Sequence, residues 1–122
     1  ICTDKKIVKD FDKDPLCGFT FTVNGFCSLF DLMNKVYSKK GWELINDKLP
    51  IWFISGEEDP CMGSKKKFLN AVNLLKEVGY KNVSYKIYSK MRHEILNEKD
   101  REKVFKDISD KIEEWESHLK NK

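Results

Sequence analysis

The sequence LPIWFISGEEDP, residues 49–60, decides how this chain is interpreted. Its centre, residues 51–55, is apolar without polar alternation, which is typical of a strand covered on both faces in a parallel sheet. Residues 56–60 form a loop that places Asp59 just beyond the end of that strand. The stretch therefore predicts a parallel strand with a carboxylate at its C-terminal end.

The residues that follow predict one helix and a second strand. Ser64 can cap the helix, and Gly79 is well placed to end it. Residues 83–88, VSYKIY, alternate as a strand near a sheet edge does, and His93 follows in the next loop. A last helix begins after Asp100. This order predicts one βαβ crossover with a closing helix.

Asp59 and His93 thus each follow a strand end. Parallel neighbouring strands lie about 4.8 Å apart and end at one edge of the sheet, so the two loops can bring carboxylate and imidazole into contact. Each residue alone is weak evidence, because Asp before Pro often opens a turn and a single loop histidine is usually a surface residue. Together they predict the acid and the base of a Ser–Asp–His hydrolase, with Glu57 and Glu58 as rival acids that we expect to be solvated.

From residue 49 onward the sequence closely resembles the α/β-hydrolase fold, in its monoacylglycerol-lipase or lysophospholipase-like branch. The motifs that carry the resemblance are residues 49–60 and RHEILNE, residues 92–98. The resemblance covers roughly residues 49–119. It implies that Asp59 is the triad acid, that His93 is the base, and that the substrate is a small acyl ester or a lysolipid, with no cofactor.

The earlier segment DPLCGFTF, residues 14–21, resembles the end of the lid that these enzymes insert ahead of the acid strand. The resemblance implies two units, residues 1–48 as lid end and return helix, and residues 49–122 as the C-terminal hydrolase core. Three lid phenylalanines are candidate walls of a substrate pocket, although we favour ordinary core packing for each: Phe19, Phe21 and Phe26. The predicted fold class is α/β, with two parallel strands, flanking helices and the end of a mostly helical lid.

The Gly-x-Ser-x-Gly motif of this family is absent from the chain; neither GFCS, residues 25–28, nor Ser55-Gly56 matches it. The oxyanion-hole segment is absent too. The chain also starts with Ile1 rather than Met. We therefore expect a C-terminal part of an enzyme whose serine lies upstream, inactive alone and either docked to its missing N-terminal half or paired with a second copy.

Composition excludes several other classes of protein. The net charge of +3 comes from 23 basic and 20 acidic residues spread along the chain, which argues against a nucleic-acid surface. No apolar run approaches the roughly 20 residues of a membrane helix, so we expect no integral membrane segment. Four irregularly spaced cysteines predict neither a zinc site nor a disulfide framework, but reduced thiols in a cytoplasmic protein: Cys2, Cys17, Cys27 and Cys61.

Two alternatives to an ester hydrolase remain open. The chain could be a non-catalytic binding or interaction module that retains the hydrolase fold. It could also serve another chemistry of the same fold, such as amide hydrolysis, peroxide chemistry or dehalogenation, because the Asp–His half is common to all of these.

Overall fold

The structure is a computed structural model that describes residues 1–120, except for the side chain of Leu119; the last two residues of the predicted unit 49–122 lie outside the described residues. Its helices and strands follow in the order α1 (Lys5–Lys13), α2 (Val23–Val36), β1 (Ile51–Gly56), α3 (Lys65–Val78), β2 (Val83–Tyr88) and α4 (Arg101–Lys120). Single 3₁₀ turns occupy Pro60–Met62 and Ile95–Asn97. None of the helices among residues 1–120 combines the length and the apolar character needed to cross a bilayer.

The two predicted strands form a parallel pair, which confirms the α/β class. Ile51 pairs with Val83 at one end and Gly56 with Tyr88 at the other, so the C-terminal ends are level. Helix α3 makes the crossover between the strands. The loops after β1 and β2 therefore leave the sheet side by side.

Local chemistry explains where α3 begins and ends, as the sequence predicted. The hydroxyl of Ser64 accepts a hydrogen bond from the backbone N–H of Lys67 at 3.1 Å, which caps the first turn. At the other end, Gly79 has a φ of +125°, a conformation that side-chain-bearing residues rarely adopt. The helix packs on the sheet through Phe68, whose ring makes edge-on contacts with Phe53 and Tyr85.

The opposite face of the sheet holds the buried core. Tyr88 from β2, Val104 from α4, and Met91 and Ile95 from the intervening loop form this cluster. The partly buried side chains of Ile54 and Ile108 pack against it. Because Met91 and Ile95 bracket the loop that carries His93, burial of apolar side chains on both sides of that loop anchors it.

The N-terminal helices are capped by side chains that the periodicity alone did not identify. The carboxylate of Asp4 accepts the backbone N–H groups of Lys6 and Ile7 at the start of α1. The apolar residues that recur at three- and four-residue steps from Phe26 to Val36 predict a helix there. Helix α2 begins three residues earlier, at Val23, because the hydroxyl of Thr22 accepts the N–H of Gly25. The sequence favours an irregular, partly buried segment over residues 16–25; residues 16–22 are irregular but mostly exposed, and residues 23–25 already belong to α2.

The expectation that three lid phenylalanines pack in a core is wrong. Phe19, Phe21 and Phe26 are 64%, 45% and 41% exposed. Their rings contact one another in tilted or edge-on geometry, and Phe26 stacks on Phe30, with neighbouring ring centroids 5.5 to 6.2 Å apart. Phe30 is 56% exposed as well, so no element among residues 1–120 fully covers this cluster of rings. We call these four residues the aromatic face.

Candidate active site

The candidate acid is held at the start of the 3₁₀ turn that follows β1. One carboxylate oxygen of Asp59, Oδ1, accepts the backbone N–H of Cys61 at 2.8 Å. The other, Oδ2, accepts a longer hydrogen bond from the hydroxyl of Ser55 at 3.4 Å. Pro60 needs no hydrogen-bond partner at the first position of the turn. The Asp59 side chain is only 10% exposed, so its direction is fixed by these contacts.

The loop that carries the candidate base is tied to the acid loop through the backbone. The N–H of Glu57 donates to the carbonyl of Tyr88, and the N–H of Glu58 donates to the carbonyl of Met91, both at 2.8 Å. These bonds extend the parallel pairing beyond the last strand residues. They hold the His93 loop alongside the acid loop.

The structure brings the two predicted residues together. Nδ1 of His93 lies 3.1 Å from Oδ2 and 3.2 Å from Oδ1 of Asp59. The imidazole is about half exposed, and within residues 1–120 Asp59 is its hydrogen-bonding partner. When Nδ1–H donates to the carboxylate, Nε2 carries the lone pair and can accept a proton from another group.

The electrostatics favour an ionised Asp59. Burial raises the pKa of Asp59, but the hydrogen bonds from His93, the Cys61 backbone N–H and Ser55 outweigh it, and the net pKa lies below its ordinary 3.8. A carboxylate that stays charged near neutral pH stabilises the imidazolium that forms when His93 takes up a proton.

Among residues 1–120, the neighbouring acidic side chains make no hydrogen bond to the His93 ring. The carboxylate of Glu57 accepts a hydrogen bond from the hydroxyl of Ser89 at 2.8 Å, and Glu58 is exposed, as expected of both. Glu94 accepts a hydrogen bond from the side chain of Asn97. Asp59 is therefore the one carboxylate of the described residues that contacts the His93 ring.

An open surface cavity of about 310 Å³ adjoins the acid. Asp59 lines it, whereas none of the three candidate pocket phenylalanines does. The lining residues come from the acid loop, the start of α3 and the end of β2: Glu57, Asp59, Met62, Gly63, Ser64, Lys65, Ile87 and Ser89. The role of Phe19, Phe21 and Phe26 in a substrate pocket stays a prediction.

Cys61 adds a third potential metal ligand that sequence spacing did not single out. Its thiol, the Asp59 carboxylate and a ring nitrogen of His93 lie within 4.8 Å of one another. The short turn after Asp59 places the thiol next to the other two groups. Nothing in the sequence indicated this, because Cys61 is not part of a closely spaced pair of cysteines. However, Asp59 and His93 are already hydrogen-bonded to each other. We therefore interpret the three groups as an acid–base pair with an adjacent thiol rather than as a metal site. All four cysteines are free thiols.

Comparisons with known proteins agree with this fold. The profile of a family described as serine aminopeptidase, S33, matches residues 1–100, a range that spans both the lid-like segment before residue 49 and most of the predicted hydrolase core. No curated protein matches the chain significantly. Among solved structures, the chain is similar to a highly thermostable carboxyl esterase from Bacillus coagulans in complex with glycerol, with a TM-score of 0.78 and 28% identity. The alignment covers 93% of this chain and 37% of the esterase chain, so the chain spans well under half of that protein.

Proposed function

The chain belongs to the serine aminopeptidase S33 family of α/β-hydrolases, and from that premise we propose that it supplies the acid and the base of a serine hydrolase that cleaves carboxylic esters. The observation that carries the proposal is the 3.1 Å contact between Nδ1 of His93 and Asp59 beyond the level ends of two parallel strands. In open α/β sheets, sites are formed at this edge.

In the proposed reaction the nucleophile is a serine from the remainder of the enzyme, because within residues 1–120 no serine hydroxyl is hydrogen-bonded to His93. Nε2 of His93 takes the serine proton as the serine oxygen bonds to the ester carbonyl carbon. The imidazolium, held by Asp59, then passes that proton to the departing alcohol as the ester C–O bond breaks. Water repeats the cycle on the acyl-enzyme, releasing the carboxylic acid and restoring the serine.

We propose a lysophospholipase or monoacylglycerol-lipase-like substrate, an ester of one acyl chain. The similar structure is of a carboxyl esterase, which supports an ester. The aromatic face would suit an acyl chain if the missing part of the enzyme closes over it, with Phe19, Phe21 and Phe26 as walls. Amide hydrolysis is the second candidate, favoured by the description of the matching family as a serine aminopeptidase.

The experiment compares four substrates with the full-length protein: a p-nitrophenyl acyl ester, a monoacylglycerol, a lysophosphatidylcholine and an aminoacyl p-nitroanilide. We expect the acyl esters to be cleaved faster than the anilide. Asp59→Asn should lower kcat by about 10⁴-fold, the effect expected of a triad acid. Glu58→Gln, a matched loss of charge in the same loop, should stay within about twofold of wild type.

Three outcomes would change the proposal. Preferential cleavage of the anilide would change the proposed substrate class from esters to amides. Retained activity in Asp59→Asn would reject Asp59 as the acid and make Glu57 or Glu58 the better candidate. Hydrolysis of none of the substrates would favour a non-catalytic module that keeps the fold.

A further inference from the structure

Glu98 is the one charged side chain that is fully buried among the described residues, with 1% of its surface exposed. It follows the 3₁₀ turn Ile95–Asn97 and precedes α4, and the proposed mechanism does not use it. Burying a carboxylate is costly unless hydrogen bonds replace its hydration. The groups that donate hydrogen bonds to Glu98 therefore indicate its role in the structure.

Three donors converge on this carboxylate. Oε1 accepts the backbone N–H of Arg92 at 2.8 Å. Oε2 accepts the backbone N–H of Thr3 at 2.9 Å and also the Thr3 hydroxyl. One side chain thereby bridges the loop after β2 to the first residues of the chain.

The ionisation of Glu98 follows from these contacts. Burial raises the pKa of Glu98, but the hydrogen bonds from the Thr3 side chain and from backbone N–H groups outweigh it, and its pKa is below the ordinary value of 4.5. The group that holds the loop is therefore a carboxylate, and hydrogen bonds to a charged acceptor are about twice as strong as neutral ones.

These bonds act on the residues directly beside His93. Arg92 precedes it and is held by Glu98, while the N–H of Glu94, which follows it, donates to the carbonyl of Ile1 at 3.0 Å. The imidazole itself is about half exposed and contacts Asp59 alone among the described hydrogen-bond partners. Its orientation thus depends on the backbone on either side of it.

We propose that Glu98 is a positioning residue for His93, which clamps the backbone N–H of Arg92 to the segment at residues 1–3 and so holds the imidazole against Asp59. This inference rests on the proposed function. Glu98 touches neither the ring nor the reacting atoms, and it acts through the loop. Misplacing a catalytic group by about 1 Å can cost on the order of 100-fold in rate.

The test is Glu98→Gln in the full-length protein. The amide keeps the size of the side chain but turns one acceptor into a donor, so it cannot accept from both Arg92 and Thr3. At a temperature where the variant is folded, we expect kcat on an acyl ester to fall about 10- to 100-fold while KM stays within about twofold.

Two matched variants separate positioning from general destabilisation. Glu94→Gln removes a charge beside His93 whose carboxylate contacts Asn97, and it should stay within about twofold of wild type. Asp107→Asn removes the ion pair with Lys86, in which Nζ lies 2.6 Å from Oδ2, far along the chain from the loop. It should lower the thermal midpoint without lowering kcat. An unchanged kcat in folded Glu98→Gln would overturn the proposal.

A second readout does not depend on turnover. Nitrogen and proton NMR of the His93 ring should show the Nδ1–H hydrogen bond to Asp59 in wild type and its loss or weakening in Glu98→Gln. If wild type hydrolyses nothing, the proposed function fails, and this spectrum alone decides whether Glu98 positions the ring. If Glu98→Gln does not fold, Thr3→Val removes the hydroxyl donor only, and a kcat reduction of about threefold is expected; no reduction would overturn the clamp.

Discussion

Gly56 and Arg92 approach so closely that a β-carbon on Gly56 would lie 2.2 Å from the carbonyl oxygen of Arg92. The carbonyl oxygen of Met91 would be only 2.3 Å away. Both neighbours are backbone, which cannot move aside as a side-chain end can. The absence of a side chain at the end of β1 therefore allows the acid and base loops to lie side by side.

Replacing Gly56 with Ala should destabilise the protein by about 1–3 kcal/mol, the usual range for overpacking a well-filled site. The same shift of the His93 loop should lower activity by more than the loss of folded protein explains. Urea denaturation and kcat of the full-length protein measure the two effects. Gly25→Ala is the control, because Gly25 lies in α2 and its added methyl would meet neighbours at 3.4 Å or more. That change should be neutral or stabilise by up to about 1 kcal/mol.

The sequence predicted those parts of the fold that depend on local chemistry. The structure confirms the two predicted strands and both ends of α3, at Ser64 and Gly79. Each of these features depends on residues that are close together in the chain. The contact between Asp59 and His93 could also be expected, because parallel strands bring their C-terminal ends to one edge.

Features that depend on distant pairing could not be predicted in this way. Thr3 and Glu98 are 95 residues apart, and no periodicity connects them. The exposure of Phe21 was also missed, since an apolar residue in sequence does not reveal whether any partner surface covers it. Cys61 joined the site only because a short turn redirects the chain after Asp59.

Acid should destabilise the wild-type protein partly through Glu98. Folding lowers the pKa of Glu98. The stability that the ionised carboxylate contributes is therefore fully present above about pH 4.5, and it is lost as the pH falls through the lower pKa of the folded state. Glu98→Gln should therefore have a shallower loss of unfolding free energy below pH 4.5. Urea titrations at a series of pH values measure this slope, which is at most about 1.4 kcal/mol per pH unit for one proton. Equal slopes in both proteins would show that Glu98 is not a source of the acid sensitivity.

Tyr88→Phe should cost less than about 0.5 kcal/mol or stabilise the protein slightly. The Tyr88 hydroxyl is buried and makes no hydrogen bond of normal geometry within the described residues, although burial and the nearby Asp107 raise the Tyr88 pKa. A buried hydroxyl without a good partner loses its hydrogen bonds to water and does not replace them fully, which destabilises the folded state. Tyr88→Ala, which empties part of the core cluster, should instead cost about 3–5 kcal/mol, as for truncation of a buried aromatic ring. A loss above 1.5 kcal/mol for Tyr88→Phe in urea denaturation would reveal a hydrogen bond to Asp107 after all.

The thiol of Cys61 should be dispensable for hydrolysis. Asp59 and His93 already pair with each other, so acid–base chemistry needs no third ligand beside them. We expect Cys61→Ser, and prolonged treatment of wild type with a strong chelator, to change kcat by less than about twofold. Cys27→Ser, another exposed cysteine away from this pair, is the control for thiol loss itself. Parallel loss of activity in Cys61→Ser and in the chelated protein would instead point to a working metal at Asp59, Cys61 and His93.

The aromatic face should prevent residues 1–122 from behaving as a stable monomer on their own. Phe19, Phe21 and Phe26 leave a contiguous apolar surface, and exposed patches of this kind promote association. The two outer edges of the two-stranded sheet, one on each strand, add further sites for pairing. In sedimentation and thermal melting we expect self-association or a broad, non-cooperative transition.

The double substitution Phe21→Ser and Phe26→Ser should reduce that association, whereas Phe105→Ser should not. Phe105 is 42% exposed, close to the 41% of Phe26, but it lies on α4 rather than on the aromatic face. The comparison therefore separates loss of an exposed ring from loss of this particular surface. If the chain docks to an N-terminal half, as we propose, the same substitutions should weaken that docking. A monomeric, cooperatively melting wild-type chain would mean that the aromatic face needs no partner, and that the two strands with their helices suffice as a folding unit.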